Sequence, residues 1–252
     1  MGQRNVLITG ATSGIGEATA RILAKHQYKL ILCGRRKEKL EKLKADLSTQ
    51  TKVTTLSFDV RDYAAVKAAL ATLSGEWKKI DVLVNNAGNA HGLDPIHRGS
   101  LEDWDAMMDI NVKGLLYVSK EVLPVMTQQK SGHIINIGSI AGKEVYPNGN
   151  VYCASKFAVD ALTQGMRIDL NPFGIKVTSI HPGMVETEFS LVRFKGDAEK
   201  ASAVYKGVKP LTGHDIAETI LYVLSTPEHV VIADMVVFPR AQASATVVNR
   251  EL

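Results

Sequence analysis

Cysteine is nearly absent from this 252-residue chain: Cys33 and Cys153 are the two present, without the spacing of metal ligands. Two are too few for a disulfide framework, so a reducing compartment is expected. No stretch approaches the ~18 consecutive apolar residues of a membrane span. No long apolar segment with a cleavage site precedes the first strand-like run, Asn5-Val6-Leu7-Ile8, so a signal peptide is not expected and the location reads as cytoplasmic. Excess charge is lacking too. Thirty basic against 26 acidic residues leave a formal +4, too mild to point to nucleic acid or an anionic membrane. What remains is the composition of an ordinary globular protein, with 45% hydrophobic and 22% charged residues, and a small molecule as the expected partner.

Short apolar runs alternate with amphipathic stretches along the whole chain. Runs at 5–9, 29–33, 53–58, 82–85, 134–138, 176–180 and 230–238 read as strands, and most are continuously apolar, as when helices cover both faces of a sheet. Helical patterns lie near 15–26, 36–48, 62–74, 101–129, 152–171 and 213–225. Such alternation predicts an α/β fold: one doubly wound, Rossmann-type domain over 1–252, with seven parallel strands and right-handed crossovers. Two segments break the rhythm, an insertion at 184–212 and a tail at 239–252. Loops beyond the carboxyl ends of parallel strands are where ligands sit.

The first strand runs into Thr9-Gly10-Ala11-Thr12-Ser13-Gly14-Ile15-Gly16. Gly10 permits a tight turn, Gly14 lets the backbone approach a pyrophosphate, and Gly16 allows close helix–strand packing. The free N–H groups and dipole of the following helix favour the anion. Three residues separate the first two glycines, unlike the ordinary G-x-G-x-x-G fingerprint. The run resembles the T-G-x-x-x-G-x-G of the short-chain dehydrogenase/reductase family.

The second strand ends at Cys33-Gly34, followed by Arg35-Arg36. An acid here would hold a ribose 2′-hydroxyl; Gly34 supplies none, and Arg35 and Arg36 offer planar donors for a 2′-phosphate. The expected cofactor is NADP(H), although the pair also reads as the solvated basic start of a helix. Ser13 stands where this family often has a basic residue.

The resemblance extends along nearly the whole chain. It implies that Asp59 meets the adenine amino group, with Val60 beside it; the other reading of Asp59 is a helix N-cap, which Asp62 could fill instead. Asn85-Asn86-Ala87-Gly88 matches the family's N-N-A-G. Tyr152-Cys153-Ala154-Ser155-Lys156 matches its Y-x-x-x-K, in which positions four apart share one helix face. With Ser139 and Asn111 these complete the family's Asn–Ser–Tyr–Lys set. The resemblance implies that Tyr152 is the general acid/base and that Lys156 lowers its pKa and holds the nicotinamide ribose. Ser139 would orient the substrate oxygen and Asn111 hold a relay water; a polar residue bending a core helix is the alternative for Asn111. Cys153 reads as packing. In His181-Pro182-Gly183-Met184-Val185-Glu186-Thr187, Pro182 and Gly183 are expected beside the nicotinamide, Val185 near it, and Thr187 at the carboxamide or pyrophosphate. His181 reads as structural. The cofactor set further includes Thr12, Ser13, Ile15, Asn86, Ala87 and Gly88, with no metal.

Tyr117, Asn136-Ile137-Gly138-Ser139, Val192-Arg193-Phe194-Lys195-Gly196-Asp197 and Pro227/His229 look like the NADP-dependent 3-hydroxy acid dehydrogenase branch, which acts on serine, allo-threonine and related acids or reduces malonic semialdehyde. A small acid needs a clamp for its carboxylate. Arg193 suits bidentate binding, Tyr146 a second bond, and Gln242 a third, from this chain or a neighbouring subunit; each also reads as a solvated loop or tail residue. A sulfonate would satisfy the same clamp, and Phe189, Leu191 and Phe194 could wall a pocket for a larger neutral ketone. A non-catalytic NADP(H) sensor is the alternative of another class. The resemblance also implies a homotetramer through 101–129 and 151–171.

Overall fold

The computed structural model describes residues 3–251. Seven parallel strands, β1 (Asn5–Thr9), β2 (Lys29–Gly34), β3 (Val53–Ser57), β4 (Val82–Asn85), β5 (Gly132–Ile137), β6 (Ile175–Pro182) and β9 (Asp234–Val237), form one sheet in the order β3-β2-β1-β4-β5-β6-β9. The chain first adds strands to one side of β1 and then returns to build the other side from β4. This reversal opens a crevice at the carboxyl ends of β1 and β4.

Alternation along β1 explains the continuous apolar runs. Val6 and Ile8 face one layer with Leu23, Leu40, Ile216 and Ile220, whereas Leu7 faces the other with Val66, Val118, Val122 and Met126. Successive side chains of a strand point to opposite faces, so a strand covered on both must be apolar at every position. Helices α1 (Gly14–Lys25), α2 (Lys37–Leu47) and α9 (Gly213–Ser225) supply the first layer. Helices α3 (Tyr63–Ala71), α5 (Gly114–Gln129) and α6 (Asn150–Leu170) supply the second. Among the described residues, no helix is long and apolar enough to cross a membrane.

Two elements differ from expectation. The stretch 101–129 is not one helix: α4 (Leu101–Met108) passes through a π-helical turn, Asp109–Lys113, into α5. π-Turns concentrate at functional sites, and this one carries Asn111. The last strand begins at Asp234 rather than Val230, because side chains hold the preceding backbone: the Val230 carbonyl accepts from Lys176 Nζ and that of Ile232 from Thr178 Oγ1.

The insertion folds as β7 (Val185–Glu186), α7 (Glu188–Arg193), α8 (Ala198–Ala203) and β8 (Leu211–Thr212), with β7 and β8 paired. The tail doubles back through an antiparallel bridge between Gln242 and Val248. It joins the insertion where Arg250 Nη1 donates to the carbonyls of Val204 and Lys206. Both irregular segments therefore lie over the crevice.

Candidate active site

A cleft of about 650 Å3 opens at the carboxyl edge of the sheet, within the range of ligand sites. Of the catalytic, cofactor and substrate-clamp residues expected from sequence, only Gly16 and Asn111 do not line it. Gly16 is turned inward, where a Cβ would collide with the Gly10 carbonyl, so it serves helix–strand packing. Gly10 and Gly14 both have left-handed backbone, φ +66° and +54°, which glycine adopts without strain.

Thr9 fastens the turn to the end of β4: its hydroxyl accepts from the amides of Asn86 and Ala87, both at 3.0 Å. The Asn86 side chain donates back to the carbonyls of Thr9 and Gly10. Beneath it, Asn85 donates to Asn136 across the β4–β5 pair and to Ser119, while Asn136 donates to Thr163. The N-N-A-G run thus ties three strands and two helices at the base of the cleft.

The two arginines after β2 are not equivalent. Arg35 is exposed and only loosely paired, its Nη1 3.8 Å from Asp59 Oδ2. Arg36 is pinned to the glycine turn through Thr12 Oγ1, the Thr12 carbonyl and Ser13 Oγ, and to the insertion through Glu188 at 2.8 Å. Its guanidinium therefore lies against Ser13, supplying from β2 the cation that the turn itself lacks. Asp62 caps α3 by accepting from Ala65, which leaves Asp59 to face the cleft with Arg61 clasped on its carboxylate. Partial burial pushes the Asp59 carboxyl up, but Arg61 and Arg35 hold it below its ordinary value overall.

Tyr152 and Lys156 project from the first turns of α6, both buried. Lys156 Nζ donates to the Ile137 carbonyl at 2.9 Å, and burial pushes its pKa down to about 8. The Tyr152 phenol is pushed well above its ordinary value, chiefly by burial and then by neighbouring Tyr146, while the Ser139 hydroxyl and Arg193 pull it back. Sequence reasoning expected Lys156 to set this pKa. In the folded chain desolvation, which penalises the phenolate, is the largest influence, and the ammonium is directed at Ile137.

Ser139 sits at the end of β5, its Oγ accepting from Ala141 N. His181 is fully buried behind it, with Nδ1 3.1 Å from the Ser139 carbonyl and Nε2 3.0 Å from Asp234 Oδ1. Asp160, His181 and Asp234 bring ligand-type atoms within 4.8 Å of one another, but Lys143 Nζ already pairs with both carboxylates. The group is an anchor for the strand end that carries Ser139, in keeping with a structural His181. Asn111, equally buried, accepts from Asn89 N and donates to the Asn89 carbonyl and Ser155 Oγ. Its Oδ1 and Lys156 Nζ both border the space a Cβ on Gly88 would occupy.

Helix α7 closes the outer wall. Thr187 caps it and packs on Gly14. Phe189 meets the Tyr152 ring edge-on, with centroids 5.5 Å apart. Arg193 exchanges backbone and side-chain bonds with Gly92 and donates from Nη1 to the Tyr146 hydroxyl. Its Nη2 is buried without a hydrogen-bond partner.

Leu191 departs from expectation: it is 40% exposed and does not line the cleft, because its face of the short helix points to solvent. Gln242 belongs to the chain's own folded-back tail. Its carboxamide oxygen accepts from Met184 N and its nitrogen donates to the Ser244 carbonyl, so the amide is engaged in bracing the turn after β6. Glu188 was missed altogether. A lone acid after Thr187 carries no signal until the insertion folds onto α2.

Comparison with known proteins places this arrangement. The family model described as short chain dehydrogenase matches residues 4–197. The NADP-dependent 3-hydroxy acid dehydrogenase YdfG of Salmonella typhi is 47% identical over 241 residues, covering 95% of this chain and 96% of that protein. Sulfoacetaldehyde reductase 2 of Chromohalobacter salexigens is 44% identical, with 98% of each covered. The closed form of a serine dehydrogenase complexed with NADP+ superposes with a TM-score of 0.92 at 45% identity, over 96% of this chain and 97% of that one. A match in sequence and architecture over nearly the whole chain leaves one conclusion: the chain belongs to the short chain dehydrogenase family.

Proposed function

We propose that this protein transfers hydride between NADP(H) and a small 3-hydroxy acid or the matching semialdehyde. The observation that carries this reading is the unpartnered, buried Arg193 Nη2 beside the Tyr146 hydroxyl and over the Tyr152 ring, whose centroid lies 5.7 Å from the guanidinium carbon. A buried donor without an acceptor costs roughly 1–3 kcal/mol. A substrate carboxylate removes that cost and adds a charge-assisted bond. The relatives bearing 3-hydroxy acid, serine and sulfoacetaldehyde names support an anionic small substrate. A sulfonate meets the same donors, so it remains the second reading.

The residues around the glycine turn fit a dinucleotide with a 2′-phosphate. No acid stands at Gly34, and Arg35, Arg36 and Lys39 crowd the corner where the phosphate would sit. When bound, the nicotinamide gives or accepts the hydride. In carbonyl reduction, Tyr152 donates its phenolic proton to the forming alkoxide, and burial keeps that phenol neutral. Ser139 steadies the charge growing on the substrate oxygen. Oxidation needs Tyr152 as the phenolate, which burial disfavours, so the positive charge of a bound oxidised nicotinamide, with the Lys156 ammonium at its ribose, would supply the stabilisation. Asn111, joined to Asn89 and Ser155 beside Gly88, positions the relay behind Lys156. The exposed Leu101, Leu116, Phe157 and Ile168 on α4, α5 and α6 leave apolar surface that supports self-association through these helices, as a homotetramer would use.

The test is a panel with NADP(H) and NAD(H) in parallel: L-serine, L-allo-threonine and 3-hydroxypropionate for oxidation, and small aldehydes bearing carboxylate or sulfonate for reduction. Turnover of acids with NADP(H), lost in Tyr152→Phe, is expected. Activity confined to bulky neutral ketones would reject the clamp.

A further inference from the structure

Glu188, the first residue of α7, is bound to two of the three cations, Arg35, Arg36 and Lys39, gathered beside the glycine turn. Its Oε2 accepts from Arg36 Nη1 at 2.8 Å and its Oε1 from Lys39 Nζ at 3.2 Å. A guanidinium has five N–H groups, and four of those on Arg36 are committed: Nε and one Nη2 hydrogen to Thr12, the other Nη2 hydrogen to Ser13, and one Nη1 hydrogen to Glu188. A phosphate at this corner therefore has a single free Arg36 N–H, on the nitrogen that Glu188 already faces. It would also lie against a carboxylate, and like charges at contact distance repel.

We propose that Glu188 is an internal rival of the cofactor's 2′-phosphate for Arg36 and Lys39, so that a phosphorylated dinucleotide binds by taking over these cations and releasing the start of α7. The proposal rests on the NADP(H) reading of the site. It makes Glu188 a residue that sets cofactor affinity from the substrate side of the cleft. Because α7 begins at Glu188, carries Phe189 on Tyr152 and ends at Arg193, one short helix joins the phosphate corner to the substrate clamp. A dinucleotide lacking the 2′-phosphate does not displace Glu188.

The direction of the effect is the test. A phosphate-binding corner loses affinity when a positioning residue is removed, but gains it when a competitor is removed. Calorimetric titration of Glu188→Gln with NADP+ and with 2′,5′-ADP should show binding about two- to fivefold tighter than in the unmodified protein, the scale of one exposed ion pair. Affinity for NAD+ and 5′-AMP should be unchanged. Glu199→Gln removes the same charge from exposed α8 and should alter none of these. Hydrogen exchange of residues 187–194 should rise with 2′,5′-ADP relative to 5′-AMP, and that difference should vanish in Glu188→Gln.

Unchanged or weaker NADP+ binding by Glu188→Gln overturns the rivalry while leaving the cofactor reading intact. So does equal exchange with the two nucleotides, or equal tightening by Glu199→Gln. Unmodified protein that holds 2′,5′-ADP no better than 5′-AMP overturns both.

Discussion

Arg193 Nη1 donates to the Tyr146 hydroxyl at 2.8 Å, joining the end of α7 to the loop that precedes the helix carrying Tyr152. Tyr146 is pushed up in pKa by its burial, so it stays a neutral hydroxyl beside the guanidinium, which only partly offsets that shift. The pair presents a fixed cation and a neutral donor side by side. Arg193→Ala should lower kcat/KM for 3-hydroxy acids roughly ten- to hundredfold, the worth of one bond to a charged group. Small neutral carbonyls should change only a few-fold. Arg193→Lys restores the charge without the fork and should recover only part of the loss. Steady-state kinetics on matched acid and neutral substrates decide the matter.

Lys156 gives a pH signature. Burial pushes its pKa down to about 8, against an ordinary value near 10.4. Above pH 8 the ammonium is lost, and with it the donor expected at the cofactor ribose. Dinucleotide affinity should therefore fall as pH rises through about 8, and Lys156→Met should flatten that limb. The stability contribution has the opposite slope. Between pH 8 and about 10.4 the unfolded chain holds a proton that the folded chain has released, so stability rises with pH there. Calorimetric titrations and thermal melts across pH 7–10 read the two effects separately.

The Asn85–Asn136 pair is a structural prediction. Asn136→Ala strips Asn85 Nδ2 of one acceptor and Thr163 of its donor, in a buried network. The expected cost is about 1–3 kcal/mol, a fall in Tm of roughly 2–10 °C for a chain this long. Circular-dichroism melts check it, and cofactor affinity should follow only weakly, because Asn86 keeps its own bonds to the glycine turn.

Association should depend on the outer faces of the long helices. Ile168 is 74% exposed on α6, and Ile168→Lys should shift the elution of the protein from a tetrameric mass toward smaller species. Wild-type protein eluting at the mass of one chain would refute the assembly.

Some residues were readable because their chemistry follows from backbone geometry close in sequence. The glycines of the first turn, the N-N-A-G run and the Tyr152/Lys156 spacing each belong to one local element, so their placement at the cleft could be read without knowledge of the fold. Asn111 was readable as a buried polar residue of a helical stretch but not as part of a π-turn. A stretch with helical periodicity on both sides conceals one widened turn. Arg193 was legible as a residue of the cleft, but not as the partner of Gly92, which lies far away along the chain. Gln242 lines the cleft, but its bonds to Met184 and Ser244 arise from the folded-back tail, which no local pattern shows.

The amino-acid sequence by itself determined the seven-stranded α/β architecture, the glycine turn after the first strand and the placing of Tyr152 and Lys156 on one helix, because strand burial, helix periodicity and tight turns are local consequences of residue type. Only the tertiary structure decided which groups hold each other. The clasp of Glu188 on Arg36, the edge of Phe189 on Tyr152 and the unspent nitrogen of Arg193 arise where an irregular insertion folds across the sheet edge. Contacts of that kind depend on how distant segments pack, and no short-range pattern encodes them.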